Sequence, residues 1–280
     1  MYGDLDEDCI LYQMGEIFGK YETGEYNKTG LVRDINVQVK RILKVATDYG
    51  FDDNLWHNYL TFFLMMSENP FSMTCEKVGA SEGSVNALVQ NDFRIFKELF
   101  DYDFGPIEKD LGISCFSQIS DYKAIHKKDL MYNKNVSEKV RALSKTLEAA
   151  KDEKEFFDGI TGFYKDYGVG MFGLNKAFRI DEKPEGGIEF RAINNMDTVM
   201  LDDLVGYEIQ KKKLVDNTEA FVQGKKANNV LLFGDSGTGK STSIKAIVNQ
   251  YYKDGLRMIE IYKHQFKYLS TIIADIKNRN

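Results

Sequence analysis

One eight-residue stretch of the sequence has the residue types and the spacing to bind phosphate. Gly-Asp-Ser-Gly-Thr-Gly-Lys-Ser occupies positions 234–241 and follows the apolar run 229–233. Gly234, Gly237 and Gly239 allow backbone conformations with positive φ, and they let the backbone approach phosphate oxygens because no Cβ stands in the way. The amide groups of such a loop, together with the N-terminus of a following helix, form a positively polarised cradle for an anion.

Two side chains of this stretch extend the prediction from phosphate binding to chemistry. Lys240 is placed to reach the β- and γ-phosphates of a nucleotide, which makes it the candidate catalytic residue. The hydroxyl of Ser241 is the candidate ligand of Mg²⁺, an ion that prefers oxygen atoms in octahedral geometry. The predicted phosphate-binding residues are Gly234, Asp235, Ser236, Gly237, Thr238, Gly239, Lys240, Ser241 and Thr242.

The elements around this stretch supply the context that a phosphate-binding loop needs. The apolar run 229–233 is typical of a parallel strand buried on both faces, and a helix is predicted over 240–252. A second strand is predicted over 258–262 and a last helix from about Gln265. Strand, glycine-rich turn and helix in this order are the arrangement in which such a loop binds nucleotides.

A further helix is predicted over 207–223, before the apolar run, with Gly224 at its end. Its lysine triplet, 211–213, is capable of attracting an anion. A solvated helix face is nevertheless the favoured interpretation, because runs of like charge usually face solvent.

The N-terminal half of the sequence predicts helices. Apolar residues recur every three to four positions from Leu31 onward, and Gly50 stands where a C-terminal cap is expected. Aromatic residues fall at helical spacing, so we expect them in a packed core rather than on a ligand-stacking surface. They are Phe62, Phe63, Phe93, Phe96, Phe156, Phe157 and Phe163. The later helices are predicted over about 55–67, 85–100, 106–112, 137–150 and 152–164.

The sequence divides into four parts. Residues 1–30 are acidic and glycine-rich and are predicted to form a loosely ordered arm, and residues 31–167 form a helical domain. Within 168–200, two strands over 173–180 and 188–193 with a turn-rich connection predict a β-hairpin that joins the domains. Residues 201–280 carry the phosphate-binding loop.

Composition narrows the class of protein. The 280-residue chain is 43% hydrophobic and carries a net charge of -6. A packed core is expected, and the acidic balance argues against non-specific binding to nucleic acid. Cys9, Cys75 and Cys115 are far apart and predict three reduced thiols in a cytoplasmic protein. The N-terminus is acidic, unlike a signal peptide, and the longest apolar run is too short to span a membrane.

A second motif suggests which nucleotide is bound. Leu-Asp-Asp-Leu-Val-Gly-Tyr at 201–207 resembles the box that precedes the phosphate-binding loop, or Walker A motif, of AAA+ ATPases. Together with residues 228–242 it is similar to a group of bacterial AAA+-type ATP-binding proteins known only as a domain of unknown function, with a helical N-terminal region. The match covers about 170–280 well.

The resemblance implies ATP and Mg²⁺ as ligands, adenine contacts from Val205, Gly206 and Tyr207, and a three-layer α/β/α core. It also implies assembly with itself or with a protein partner. The expected fold class is α + α/β, with a helical domain followed by the first part of a P-loop NTPase domain.

The resemblance further implies a later strand that ends in acidic residues, a polar sensor and arginines, which AAA+ enzymes use for hydrolysis. In those enzymes all of these lie after the second strand, which is predicted here over 258–262, and we expect the given sequence to end before them. The run 198–203 ends in two acids, but it precedes the loop and overlaps the adenine box. We therefore expect an incomplete P-loop domain and an N-terminal piece of a longer protein.

Three functions remain open from the sequence. The first is an ATPase in which the full-length protein couples Mg²⁺-dependent hydrolysis to a conformational change in the helical domain or a partner. The second is a nucleotide-binding module without turnover. The third is a P-loop kinase of a small molecule, which explains the glycine-rich loop but not the 201–207 box.

Overall fold

The computed structural model describes residues 1–80, 83–124, 132–194, 196–277 and 279. The chain forms two compact units, residues 1–174 and 175–280. The first is helical, and the second combines helices with a small mixed sheet of three strands.

The first unit contains ten helices within the described residues, and several begin at an asparagine or aspartate. The side chains of Asn54 and Asp152 accept hydrogen bonds from backbone N–H groups three residues ahead, at 3.0 and 2.8 Å. Such caps satisfy amides that otherwise have no partner in the first turn. The helices are α1 (Ile10–Thr23), α2 (Lys28–Tyr49), α3 (Leu55–Met66), α4 (Pro70–Val78), α5 (Ser84–Phe100), α6 (Gly105–Leu111), α7 (Cys115–Ser120), α8 (Lys134–Glu148), α9 (Glu153–Tyr167) and α10 (Gly170–Leu174).

The core of this unit is rich in aromatic side chains, as the helical spacing predicts. Of the seven aromatics singled out from the sequence, Phe93, Phe96, Phe156 and Phe163 are buried. The other three are half-buried and pack against the same core. Burial of large apolar side chains is the main favourable contribution to folding.

The N-terminal segment differs from the loosely ordered arm expected for residues 1–30. Ile10, Met14 and Ile17 lie on one face of α1 and are buried. The hydroxyl of Tyr2 hydrogen-bonds that of Tyr164 at 2.8 Å. The spacing of four and three between the buried residues is itself a helical signal, which the many acidic neighbours obscured.

The second unit contains α11 (Glu208–Val222), α12 (Lys240–Tyr251), α13 (Leu269–Ile276) and the strands β1 (Ala177–Glu182), β2 (Ile188–Ala192) and β3 (Met258–Glu260). The strand order is β2-β1-β3. β1 and β2 form the predicted antiparallel hairpin, in which Phe178 lies opposite Ala192. β1 also pairs in parallel with β3, so the hairpin belongs to the sheet of this unit instead of serving only as a joint.

The predicted strand over 229–233 is wrong. These residues have no regular secondary structure, and the side chains of Leu231 and Phe233 are 82% and 88% exposed. A strand is stabilised by hydrogen bonds to its neighbours, but the sheet formed by β2, β1 and β3 does not include this segment. No described residue pairs with 229–233, so its apolar pattern does not produce a strand here.

The other strand predictions are corrected at their ends. Residues 170–174 are helical, and β1 therefore begins at Ala177 instead of position 173. β3 ends at Glu260, two residues before the predicted end, and Tyr262 is followed by a 3₁₀ turn over 263–268. The last helix consequently begins at Leu269 rather than at Gln265.

A prediction concerns His57 in α3, whose Nε2 lies 2.8 Å from the carbonyl oxygen of Phe100. Burial lowers the pKa of His57 and outweighs the Glu148 carboxylate, which lies 3.7 Å from Nδ1. The unfolded chain therefore takes up this proton first as the pH falls through about 6.5. The free energy of unfolding of the helical unit should decrease between pH 7.5 and 5, and less so in His57→Gln.

The measurement is urea unfolding followed by the fluorescence of Trp56, the one tryptophan of the chain, which is buried in this unit. His264→Gln, an exposed histidine of the second unit, is the matched control and should behave as the wild type. An identical loss of stability in His57→Gln and in the wild type would show that His57 does not carry the pH dependence.

Candidate functional site

A cleft of about 500 Å³ lies in the second unit, where the predicted phosphate-binding loop faces the start of α11. This volume is typical of a site for a small organic ligand. The predicted adenine-binding residues and five residues of the loop line the same cleft, although they lie far apart in sequence. The lining residues are Leu204, Val205, Gly206, Tyr207, Gln210, Lys211, Leu214, Leu231, Leu232, Phe233, Gly234, Gly237, Thr238, Gly239, Lys240 and Ser243.

The three glycines of the loop adopt the backbone conformations for which their lack of a side chain is needed. The φ angles are 142° at Gly234, 80° at Gly237 and 79° at Gly239. The hydroxyl of Thr238 closes the loop by donating to the carbonyl oxygen of Asp235 at 2.8 Å. Gly239 then forms the N-cap of α12, so the positive end of this helix faces the loop.

Lys240 is the first residue of α12, and its side chain turns back into the loop. Its ammonium group donates to the carbonyl oxygens of Gly234 and Asp235 at 2.9 and 2.6 Å. A positive charge therefore lies within the loop, beside the N-terminus of α12. This charge and the helix N-terminus together favour an anionic ligand at this end of the cleft.

The other predicted loop residues do not line the cleft. Asp235, Ser236 and Ser241 are exposed, and Thr242 is half-buried in the first turn of α12. Within the described residues, no group of three or more histidine, cysteine or acidic side chains is arranged to hold a metal ion. The assignment of Mg²⁺ to Ser241 stays a prediction.

The opposite wall of the cleft is a turn over 204–207. Gly206 has a φ of 83°, and Tyr207, the N-cap of α11, has a φ of 58°. A residue other than glycine in this left-handed region costs about 1–2 kcal/mol, so other interactions must hold the turn. The side chains of Val205 and Tyr207 are exposed.

The lysine triplet 211–213 proves to be heterogeneous, and its first member is a site residue that the sequence interpretation missed. Lys211 lines the cleft, and its ammonium group donates to the carbonyl oxygen of Leu204 at 2.8 Å. Lys212 pairs with Asp216 on the surface, and Lys213 is exposed. Only the three-dimensional position of Leu204 distinguishes the first lysine from the other two.

The two walls are held by the packing of α11 on α12. Leu214 from α11 and Ala246 and Ile247 from α12 are buried in one small core. The hydroxyl of Tyr251 donates to the carboxylate of Glu219 at 2.8 Å and adds a polar link between the helices. The relative position of the two walls is thus fixed mainly by contacts outside the cleft, with Leu214 belonging both to this core and to the lining.

A pair of asparagines links α11 to the residue that precedes the segment 229–233. The side chain of Asn217 accepts from the backbone N–H of Asn228 at 2.8 Å and donates to its carbonyl oxygen at 2.9 Å. This two-way bond ties α11 to the segment 229–233 without forming a strand.

One comparison with known proteins covers nearly the same residues as this unit. Residues 174–280 match a family described as "Protein of unknown function (DUF815)". The chain is also 34% identical over 74 residues to the replication factor C large subunit of Methanococcus vannielii, a match that covers 26% of this chain. The chain spans 15% of the length of that relative. No solved structure matches the chain.

The link between Tyr251 and Glu219 gives a testable prediction. Burial, assisted by the hydrogen bond to Glu219, raises the pKa of Tyr251 to about 12. The stabilising bond is therefore present below pH 10 and is lost as the pH rises from about 10 to 12. At neutral pH, Tyr251→Phe should destabilise α12 by about 1 kcal/mol. This loss corresponds to amide exchange that is roughly fivefold faster.

Hydrogen exchange of the amides in α11 and α12 at pH 7 measures this loss of stability. Thermal unfolding at pH 9 to 11 measures how the contribution of the bond declines as the pH rises. Tyr262→Phe is the matched control, because Tyr262 is exposed and lies outside both helices. Equal exchange in Tyr251→Phe and the wild type would contradict a stabilising role for the bond.

Proposed function

We propose that the cleft of the second unit binds Mg²⁺-ATP. The observation that carries this proposal is that two segments distant in sequence, 204–207 and 234–240, line one cleft of about 500 Å³. One segment offers a cradle for phosphates, and the other offers an apolar and aromatic wall of the kind that accepts a base.

In this proposal the triphosphate lies along the loop. Amides of the turn at Gly237 and Gly239, the N-terminus of α12 and the ammonium group of Lys240 neutralise its charge. The hydroxyl of Ser241 is the proposed protein ligand of Mg²⁺, which supplies further positive charge to the β- and γ-phosphates when bound.

The base is proposed to lie against Val205, Gly206 and Tyr207. The left-handed conformation at Gly206 and Tyr207 turns the chain toward the cleft. Both side chains that flank Gly206 are exposed and line the cleft, so they are accessible to a ligand.

The charge of the lining supports an anionic ligand. The charged side chains in it are those of Lys211, which is paired with Glu208, and Lys240, and both are cations. Phosphate groups complement such a lining, and a cationic ligand does not.

The resemblance of 201–207 and 228–242 to AAA+ ATPases and the similarity to a replication factor C large subunit both support ATP as the nucleotide. For the whole protein we propose ATP hydrolysis coupled to conformational change, and assembly with itself or a partner. Hydrolysis requires a group that orients or activates the attacking water. The described lining supplies cations, amides and hydroxyls, so binding without turnover is the second candidate for the chain of 280 residues.

Lys240→Ala tests the binding site. Loss of a charge-assisted contact to phosphate should weaken Mg²⁺-ATP by about 10- to 100-fold or more. Isothermal titration calorimetry with Mg²⁺-ATP measures the change. Lys253→Ala removes an exposed charge beyond the end of α12 and should leave the affinity unchanged. Equal affinity in Lys240→Ala and wild type would refute the assignment of the loop.

Steady-state release of inorganic phosphate separates the two candidates. We expect the 280-residue chain to bind Mg²⁺-ATP with turnover well below about 1 s⁻¹, the lower end of ordinary enzyme rates. Turnover at that rate or above, abolished by Lys240→Ala, would show that the chain is itself a competent ATPase.

A further inference from the structure

We infer that Lys211 is a positioning residue that holds the base-side wall of the cleft, an inference that rests on the proposed binding of a nucleotide. Its ammonium group donates to the carbonyl oxygen of Leu204 at 2.8 Å, across the turn that carries Val205, Gly206 and Tyr207. The side chain lines the cleft and is only 17% exposed. No contact of Lys211 with a ligand is needed for this role.

The turn needs such a tether. Two successive residues, Gly206 and Tyr207, adopt positive φ, and Tyr207 pays a steric penalty that glycine avoids. The backbone of Tyr207 is tied to α11 by the bond from the N–H of Lys211 to its carbonyl oxygen at 2.8 Å. The side-chain bond to Leu204 secures the other end of the same turn. Lys211 therefore holds both ends of the wall, one through its backbone and one through its side chain.

The charge of Lys211 is already compensated within the turn. Glu208, in the first turn of α11, lies 2.8 Å from the same ammonium group. Lys240, by contrast, donates to carbonyl oxygens inside the phosphate loop. The two cations of the lining thus have separate tasks, since Lys240 serves the phosphate end and Lys211 the base end.

This division has a consequence for affinity. A ligand that needs the ordered turn binds with an apparent affinity reduced by the fraction of molecules in which the turn is disordered. Loss of the Lys211 tether should therefore weaken a nucleotide, whose base contacts the turn. It should leave inorganic tripolyphosphate, which lacks a base, almost unaffected.

The experiment measures the affinity of Mg²⁺-ATP by calorimetry and that of Mg²⁺-tripolyphosphate by competition against ATP. In Lys211→Met we expect the ATP affinity to fall about tenfold and the tripolyphosphate affinity to change less than twofold. Lys211→Arg, which keeps a cationic donor, should recover part of the ATP affinity. Lys213→Met removes an exposed charge from the same helix and should leave the affinities for both ligands unchanged.

Amide hydrogen exchange supplies a second readout. Exchange at 205–207 should accelerate in Lys211→Met, while exchange at 237–240 should match that of the wild type. If circular dichroism shows that Lys211→Met does not fold normally, both measurements are repeated with Lys211→Gln, which keeps a polar side chain.

Each contrary outcome is distinct. If Lys211→Met lowered the affinities for ATP and for tripolyphosphate by the same factor, Lys211 would have a general electrostatic role and the inference would be overturned. Unchanged ATP affinity and unchanged exchange at 205–207 would overturn it as well. A wild-type chain that binds tripolyphosphate but not ATP, or neither, would refute the proposed function itself, and the inference with it.

Discussion

The packing of α11 on α12 is the interaction on which the cleft depends. α11 begins directly after the turn over 204–207, which forms one wall of the cleft, and α12 begins directly after the glycine-rich loop, which forms the other. The helices meet through Leu214, Ala246 and Ile247 and through the bond between Tyr251 and Glu219. Leu214 also lines the cleft, whereas Ala246, Ile247, Tyr251 and Glu219 lie outside its lining, so the same packing that joins the helices sets the width of the cleft. The glycines and lysines of the lining are useful only at the separation that this packing imposes.

Electrostatics then divides the cleft into two ends. At the end formed by the loop, Lys240 and the N-terminus of α12 present positive charge. At the other end, Lys211 is compensated by Glu208 and the carbonyl oxygen of Leu204, and the lining is apolar and aromatic. The lining is therefore cationic at one end and largely apolar at the other.

Local signals were strongest where a short stretch determines its own conformation. The glycines at 234, 237 and 239 specify a loop that needs positive φ, and that loop has such angles. Caps and apolar periodicity likewise identify most helices of the first unit. Strand 229–233 fails as a prediction because a strand depends on partners that a local pattern does not contain. The prediction of a loosely ordered arm over 1–30 is wrong although the local signal is present, because the apolar stripe of a helix lies within a strongly acidic segment.

The sequence by itself determined the glycine pattern of the loop at 234–241, the hairpin, most helices and the presence of the 201–207 box ahead of the loop in the chain. The tertiary structure decided which of these residues share a cleft, that Lys211 differs from Lys212 and Lys213, and that β3 pairs with the hairpin. The physical reason is the range of the interactions. Glycine conformations, caps and helical spacing act within a few residues, whereas strand pairing, helix packing and the choice of hydrogen-bond partner depend on residues that are distant in sequence.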